Sequence, residues 1–422
     1  MLRRAPSTPR PRPPSAGGHR TDRPVARSHT LTPSAVVTLT RILIFMAIVA
    51  VVVGGGHYYL WVRLVRDASL SPAWTRGLAF LLGGLAVMIP VSFMLMRGPR
   101  SVSSPIMWIV YTWLGLAFFL LVLVTLRDVV LGLGGLARLL PPDDPERRVF
   151  VSRAAAAVVG VLGLGAAGTS MVSALSRVEV KRVKVAMPRL SKSASGYRIV
   201  QLSDVHVGPT IGRGFIDDVV RRVNALEADM VVITGDLVDG SVEELREHVA
   251  PLAGLRAKDG VFFVTGNHEY YSGADAWIAH LGTLGIRVLR NEHVSIGGAD
   301  GFDLAGIDDA SAHQFGNGHG ADLRRALDGR DASRAVVLLA HQPKAIVHAA
   351  KLGVDLQLSG HTHGGQLFPF NYLVRLQQPF VAGLDALGAA QIYVSRGTGY
   401  WGPPMRLGAP AEITELELVA GA

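Results

Sequence analysis

The chain has no cysteine. Disulfides, thiolate metal sites and cysteine nucleophiles are therefore excluded together, and the redox compartment is left open. Charge is also scarce: only 18% of the 422 residues are Asp, Glu, Lys or Arg, and the mean hydropathy is +0.32. Acidic residues are rarest in the first half. Residues 1–200 hold 7 of them against 25 Lys and Arg, whereas residues 201–422 hold 26 against 17. The pI near 10 therefore gives no argument for nucleic acid. The excess basic residues flank apolar runs, where membrane topology and anionic headgroups account for them. Walker-type phosphate loops are absent. Gly54-Gly55-Gly56 lies within an apolar run, where small residues permit helix packing.

What is present divides in two. Residues 1–34 are rich in Pro, Arg and Ser without apolar periodicity, and read as a disordered basic tail. The transmembrane region follows over 35–176, with four apolar spans at 42–62, 77–96, 105–126 and 154–175. Each is about 20 residues, the length that crosses ~30 Å of hydrocarbon. Trp61, Trp74 and Trp108 sit near span ends, as interfacial aromatics do. No acidic or basic residue lies inside the first three spans, so they read as an anchor rather than an ion path.

The fourth span is mostly Ala, Gly and Val and only weakly apolar. Arg147-Arg148-Val149-Phe150 precedes it, in the manner of a twin-arginine export signal; an ordinary fourth helix with flanking arginines is the alternative. That pairing would place the C-terminal half outside the cell. The arginines before the first span (Arg3, Arg4, Arg10, Arg12, Arg20, Arg23, Arg27, Arg41) favour a cytoplasmic N-terminus, and four spans would then return the C-terminal half to the cytoplasm. We expect a multi-pass cell-membrane protein with its C-terminal half extracytoplasmic, the cytoplasmic side being the alternative.

Residues 177–196 read as a linker that enters the next domain as a strand, with Val178, Val180, Val183 and Val185 nearly alternating with charges. Short apolar runs follow at 198–202, 230–233, 261–264, 336–339 and 354–358. Their length and β-branching favour buried strands. Ile216, Val219, Val220, Val223 and Leu226 carry helical spacing. Strands alternating with helices predict an α/β fold with ligands at the carboxyl ends of strands. Residues 392–394 and 412–418 are expected to close a second, partly antiparallel sheet.

Those carboxyl ends carry the chemistry. Ser203-Asp204-Val205-His206, Thr234-Gly235-Asp236, Thr265-Gly266-Asn267-His268-Glu269, Ala340-His341 and Gly360-His361-Thr362-His363 each follow an apolar run. Extended geometry at the last block would turn His361 and His363 toward one centre. Carboxylate, amide and imidazole ligands suit Mn, Fe, Zn or Mg. Asp204, His206, Asp236, Asn267, His268, His341, His361 and His363 make eight such groups, too many for one ion with an open position. They suit two ions sharing a carboxylate, the clamp of phosphate-ester hydrolysis, with hydroxide available near neutral pH.

The order of these blocks resembles the calcineurin-like metallophosphoesterases, and Gly208–Gly214 with Gly360–Phe370 is similar to the membrane-associated YkuE-type subgroup. The resemblance covers residues 203–365. It implies two sheets flanked by helices, a four-layer α-β-β-α sandwich over 197–422. It also implies roles: Asp204, His206 and His363 on one ion, Asn267, His341 and His361 on the other, Asp236 between them, and His268 as the acid that protonates the leaving oxygen. Asp239 and Glu269 are expected beside the ligands or in solvent. Arg213 reads as a phosphate contact or a surface arginine. Tyr270, Tyr271 and Trp401 are expected in the core, with a substrate groove as the alternative. The remaining histidines of this half (His280, His293, His313, His319, His348 among them) read as structural or solvated.

The expected function is hydrolysis of a phosphate ester or pyrophosphate, lipid-linked in one form, by a membrane-bound enzyme carrying two divalent ions. No nucleic acid partner is expected. The rivals are a non-catalytic binding module on this fold and a membrane sensor or transporter with a regulatory domain.

Overall fold

The computed structural model describes residues 33–95, 100–136, 144–316 and 318–421. The tail expected over 1–34 lies outside the described residues as far as residue 32. Two compact units divide the chain, Met1–Val49 and Ala50–Ala422. Everything described below belongs to the second, apart from the first turns of α1.

Four helices long and apolar enough to cross a membrane come first: α1 (Pro33–Trp61), α2 (Pro72–Leu95), α3 (Arg100–Leu136) and α4 (Pro145–Leu175). α3 runs well beyond the apolar run read from sequence, because Arg127 and Asp128 are accommodated within it. Arg63, just after α1, reaches Asp128 Oδ2 at 2.8 Å, and the Tyr59 hydroxyl donates to the same oxygen. The α3–α4 seam is close because Gly163 carries no Cβ; one there would overlap the Leu120 side chain. Of the three glycines at 54–56, only Gly56 meets a neighbour, Leu121 of α3.

Beyond α4 lie two six-stranded sheets. The first has the order β1 (Glu179–Met187), β12 (Glu412–Ala420), β2 (Tyr197–Leu202), β3 (Met230–Ile233), β4 (Val261–Phe263) and β5 (Ile286–Val288). The second runs β10 (Gly383–Leu387), β11 (Ala390–Val394), β9 (Leu356–Ser359), β8 (Val336–Leu339), β7 (Phe302–Gly306) and β6 (Glu292–Ile296). β2 to β5 are mutually parallel, as are β11, β9, β8 and β7.

Side chains alternate across the first sheet, as the pleat requires. Ile199, Met230 and Val232 meet Leu304, Val337 and Leu358 of the second sheet in one core. Val200, Val231 and Ile233 point outward to α5 (Arg213–Asn224), α6 (Val242–Val249) and the helix Ala274–Thr283. α5 buries Ile216, Val219, Val220 and Val223, one apolar stripe at helical spacing. Helices Leu323–Ala326 and Ile346–Ala349 cover the second sheet's outer face. The four-layer α-β-β-α sandwich is thus present.

One expectation is corrected. Residues 412–418 do not close the second sheet. β12 joins the first, parallel to β1 and antiparallel to β2. Its alternation fixes which side chains turn inward, not which sheet receives it.

Candidate metal centre

The five blocks follow β2, β3, β4, β8 and β9, all parallel central strands. Three come from one sheet and two from the other, so their carboxyl ends converge where the sheets meet. The backbone does unusual work there. Asp204, His206, Asp236, His361 and His363 all have φ between 51° and 72°, the left-handed region that non-glycine residues enter at a cost of about 1–3 kcal/mol. His361 and His363 are therefore not in extended chain, and the expectation that one straight segment aims both at one centre is corrected. His363 falls with Asp204 and His206, and His361 with Asp236 and His341. In each group the candidate ligand atoms lie within 4.8 Å of one another.

Neighbouring loops hold these conformations. Asp204 N–H donates to Gly235 O and His206 N–H to Asp236 O. Glu269 is fully buried, and its carboxylate accepts from the N–H groups of Asp236, Leu237 and Gly266. Gly266 and Gly360 permit close approach. A Cβ on the first would overlap Asp236, and one on the second would overlap Ser203 Oγ and Asp204 Oδ2.

Within the cluster, His206 Nε2 and His363 Nε2 are 3.0 Å apart, and His363 Nε2 lies 3.5 Å from Asp204 Oδ1. His361 Nδ1 and His341 Nε2 are 3.2 Å apart. Asp236 Oδ2 stands between the groups, 3.1 Å from His341 Nε2 and 3.9 Å from His206 Nε2. His341 Nδ1 lies 2.7 Å from Thr234 O, which orients the ring with Nε2 inward. The fit of a cation can be tested on two buried oxygens. Asp204 Oδ2 and Asn267 Oδ1 have no hydrogen-bond partner, and leaving such atoms unpaired is costly unless something else satisfies them.

Burial and close charges shift the groups of the cluster strongly. Burial raises the Asp204 carboxyl, His341 opposes that rise and Asp236 adds to it. Burial works against Asp236 too, but His341, His268 and His206 hold it well below the usual carboxylate range. Burial also opposes protonation of His341, yet Asp236 keeps it well above the ordinary imidazole value. His361 is brought down to about 4 by burial and then by His341. Burial and His206 take His363 well below its ordinary value.

Asp239 is no solvated group. Its Oδ1 lies 3.0 Å from His206 Nδ1 and 2.6 Å from His268 Nδ1. Despite burial, Asp236 and Asp239 raise His268 to about 9. Tyr270 is buried as expected, but Tyr271 and Trp401 are 65% and 53% exposed. Each ring stands edge-on to His268 with centroids 5.5 Å away, so these two wall the mouth instead of filling the core. Arg213 is a surface arginine, donating to Glu247 O and lying 3.8 Å from Asp217. Of the five outlying histidines, His319 contacts Arg290 and His293 lies 2.9 Å from a backbone carbonyl.

Two features had no signal in the sequence. Arg406, 1% exposed, donates to Gly399 O, Ala409 O and His363 O, and burial lowers it to about 10. Gln342, next to His341, donates to both oxygens of buried Asp309 at 3.0 Å.

A family profile described as Calcineurin-like phosphoesterase matches residues 197–365. The chain is 39% identical over 390 residues to a "Transmembrane protein with metallophosphoesterase domain" of Bos taurus, across 86% of both chains. It is 33% identical over 381 residues to an uncharacterized metallophosphoesterase of Campylobacter jejuni, covering 89% of this chain and 98% of that one. With the uncharacterized metallophosphoesterase YkuE of Bacillus subtilis it shares 33% identity over 234 residues, 53% of this chain and 79% of the relative.

Proposed function

The chain belongs to the calcineurin-like metallophosphoesterase family and is a metal-dependent phosphoester hydrolase, and from that premise we propose a membrane-anchored enzyme with two divalent ions. Asp204, His206 and His363 would hold one ion, and Asn267, His341 and His361 the other. The observation that carries this division is the position of Asp236 Oδ2, within 4 Å of imidazole nitrogens from both groups. Mn, Fe, Zn and Mg all suit these donors. When bound, such ions supply activated water and polarise phosphoryl oxygens.

The protein's own groups do the rest. Asp239 accepts from His268 Nδ1–H, which fixes the ring and leaves Nε2 turned toward the Asp236 side. From there His268 gives its proton to the leaving oxygen, a general-acid role. Tyr271 and Trp401 stand edge-on to the His268 ring at the mouth of the site. A rival binding module would not need this arrangement, and none of the expected ligands or His268 is missing from the sequence.

The substrate in this reading is a phosphate ester or pyrophosphate on a lipid, in keeping with four apolar helices directly before the catalytic domain. We place that domain on the extracytoplasmic side, because Arg147 and Arg148 open α4 in the manner of an export signal. The eight arginines before residue 42 favour the cytoplasm, and a compartment-specific reporter fused after Ala422 separates the two.

Hydrolysis of an aryl phosphodiester by the full-length protein with added Mn tests the chemistry. Asp236→Asn should abolish most turnover of this ester, whereas His268→Ala should abolish most turnover only of an ester whose leaving oxygen needs a proton, such as an alkyl ester. Full activity of Asp236→Asn here, or of His268→Ala on the alkyl ester, would remove these roles.

A further inference from the structure

A cavity of about 840 Å³ runs from the candidate metal centre into the helical bundle. At one end its walls include His361, His363 and Trp401; at the other they are residues of α1, α2 and α3. The volume falls within the range of about 300–1,000 Å³ typical of small-molecule sites. Its two ends differ in chemistry. Val52, Ile89, Leu114 and Leu121 line the far end, where His57 is the only polar wall among the described residues. Both ring nitrogens of His57 are engaged: Nδ1 donates to Val53 O and Nε2 accepts from Trp113 Nε1–H. His57 thus has no ring nitrogen left for a ligand, while the near end carries the imidazoles of His361 and His363 and the amides of Gln366, Gln377 and Gln378.

The segment joining the two ends carries the same message. Directly after His363, Phe368, Phe370, Tyr372, Leu373 and Leu376 are between 46% and 81% exposed. So dense an apolar patch marks a contact surface. Phe370 meets Phe118 of α3 edge-on, with centroids 6.3 Å apart, which sets the patch beside the apolar part of a membrane-spanning helix. Aromatic and aliphatic side chains at that level suit a bilayer boundary.

We propose that this cavity receives the hydrocarbon chain of a lipid phosphate whose phosphoryl group sits at the metal centre. The inference rests on the hydrolase reading above and names its substrate class: a phosphate or pyrophosphate ester with a long aliphatic chain, taken laterally from the bilayer. The chain passes from lipid to the α1–α3 wall without crossing water, so the tail's desolvation is not repeated at binding. A bulk membrane lipid held only as packing, and a water-soluble phosphodiester as true substrate, are the competing outcomes.

The test uses full-length protein in phospholipid nanodiscs with Mn, and two chromogenic diesters with the same reacting centre, ethyl and hexadecyl p-nitrophenyl phosphate. The hexadecyl ester should be preferred in kcat/KM by at least tenfold. Leu114→Trp and Leu373→Trp, which fill the cavity from opposite walls, should each lower that hexadecyl-to-ethyl ratio at least tenfold. Partition into the disc is common to all three proteins and cancels. An unchanged ratio overturns the proposal, as does a parallel loss of both activities, which would make the cavity structural packing. Should neither ester be cleaved by the wild type, the diesterase reading fails separately. Calorimetric binding of hexadecylphosphonate then reads the cavity alone: at least tenfold weaker binding in both variants sustains the tail site, and equal binding removes it.

Discussion

Asp239 Oδ1 lies 2.6 Å from His268 Nδ1, a carboxylate set behind the imidazole on the side away from Asp236. A proton on Nδ1 is thereby fixed, and Nε2 is free to hold the one that a leaving group needs. If His268 is the acid, its removal should matter in proportion to the basicity of the leaving oxygen. His268→Ala should cost about 10²–10⁴-fold on an alkyl ester, the usual span for general acids. On a p-nitrophenyl ester, whose oxygen leaves unprotonated, it should cost far less. Equal losses on the two esters would assign His268 to phosphate binding instead. Asp239→Asn should show the same leaving-group pattern in weaker form.

Glu269 supports the centre without joining it. Its carboxylate accepts three backbone N–H groups, from Asp236, Leu237 and Gly266. Glu269→Gln keeps the shape and replaces one accepting oxygen with a donor, which sets N–H against N–H. Stability should fall by about 1–3 kcal/mol. Metal affinity should fall about 10–100-fold, the usual effect of disturbing groups behind ligands. Thermal unfolding with and without Mn, together with metal titration, measures both. An unchanged affinity would show that the Asp236 loop keeps its left-handed turn unaided.

Much of this was legible before any coordinates. The five blocks stood after apolar runs of strand length, so the α/β architecture and the convergence of strand ends followed from pattern alone. Conformation inside the blocks was not legible. Nothing in His361-Thr362-His363 signals that both histidines lie at positive φ, and the extended assumption aimed both at one centre when the turn separates them. The pattern of residues 412–418 does not assign β12 to its sheet, because alternation specifies a face and not a partner. Nothing in the sequence around Arg406 marks it as buried, since the carbonyls it donates to are brought around it only by the fold. The cavity was beyond reach as well. Its walls join Val52 to Trp401 across most of the chain, and no local pattern reports contacts so distant.

Gly360 offers a purely steric test of the centre. Its φ is not in the left-handed region, so an alanine there is conformationally acceptable. The added methyl, however, would occupy the space of Ser203 Oγ and Asp204 Oδ2. Gly360→Ala should therefore displace Asp204 while leaving the sheets intact. Circular dichroism should be unchanged, and the Mn concentration needed for half-maximal activity should rise at least tenfold. Normal Mn dependence would mean that Asp204 contributes nothing to cation binding.

The helical region and the catalytic domain share more than a linker. Ser104 of α3 donates to Pro209 O at 2.6 Å, and Arg100 to Ile211 O at 3.2 Å. Arg406 N–H donates to Ser170 O of α4. Leu367 and Met405 are buried in one cluster with Phe119 and Ala167, and α3 passes so close at Gly115 that any side chain there would strike Met405. Cutting the chain at residue 178 would return Leu367 and Met405 to water, at about 1.5–3 kcal/mol for each side chain. The fragment 178–422 should therefore self-associate in plain buffer and become monodisperse in detergent, as gel filtration would show. Leu367→Ser with Met405→Ser should relieve the association without detergent. Within the full-length protein, Gly115→Leu should lower the unfolding temperature by pushing the same surfaces apart. If 178–422 proves monomeric in buffer and as stable as the whole chain, the two regions are joined by the linker alone, and the contacts of Leu367 and Met405 with the helices carry no stabilising weight.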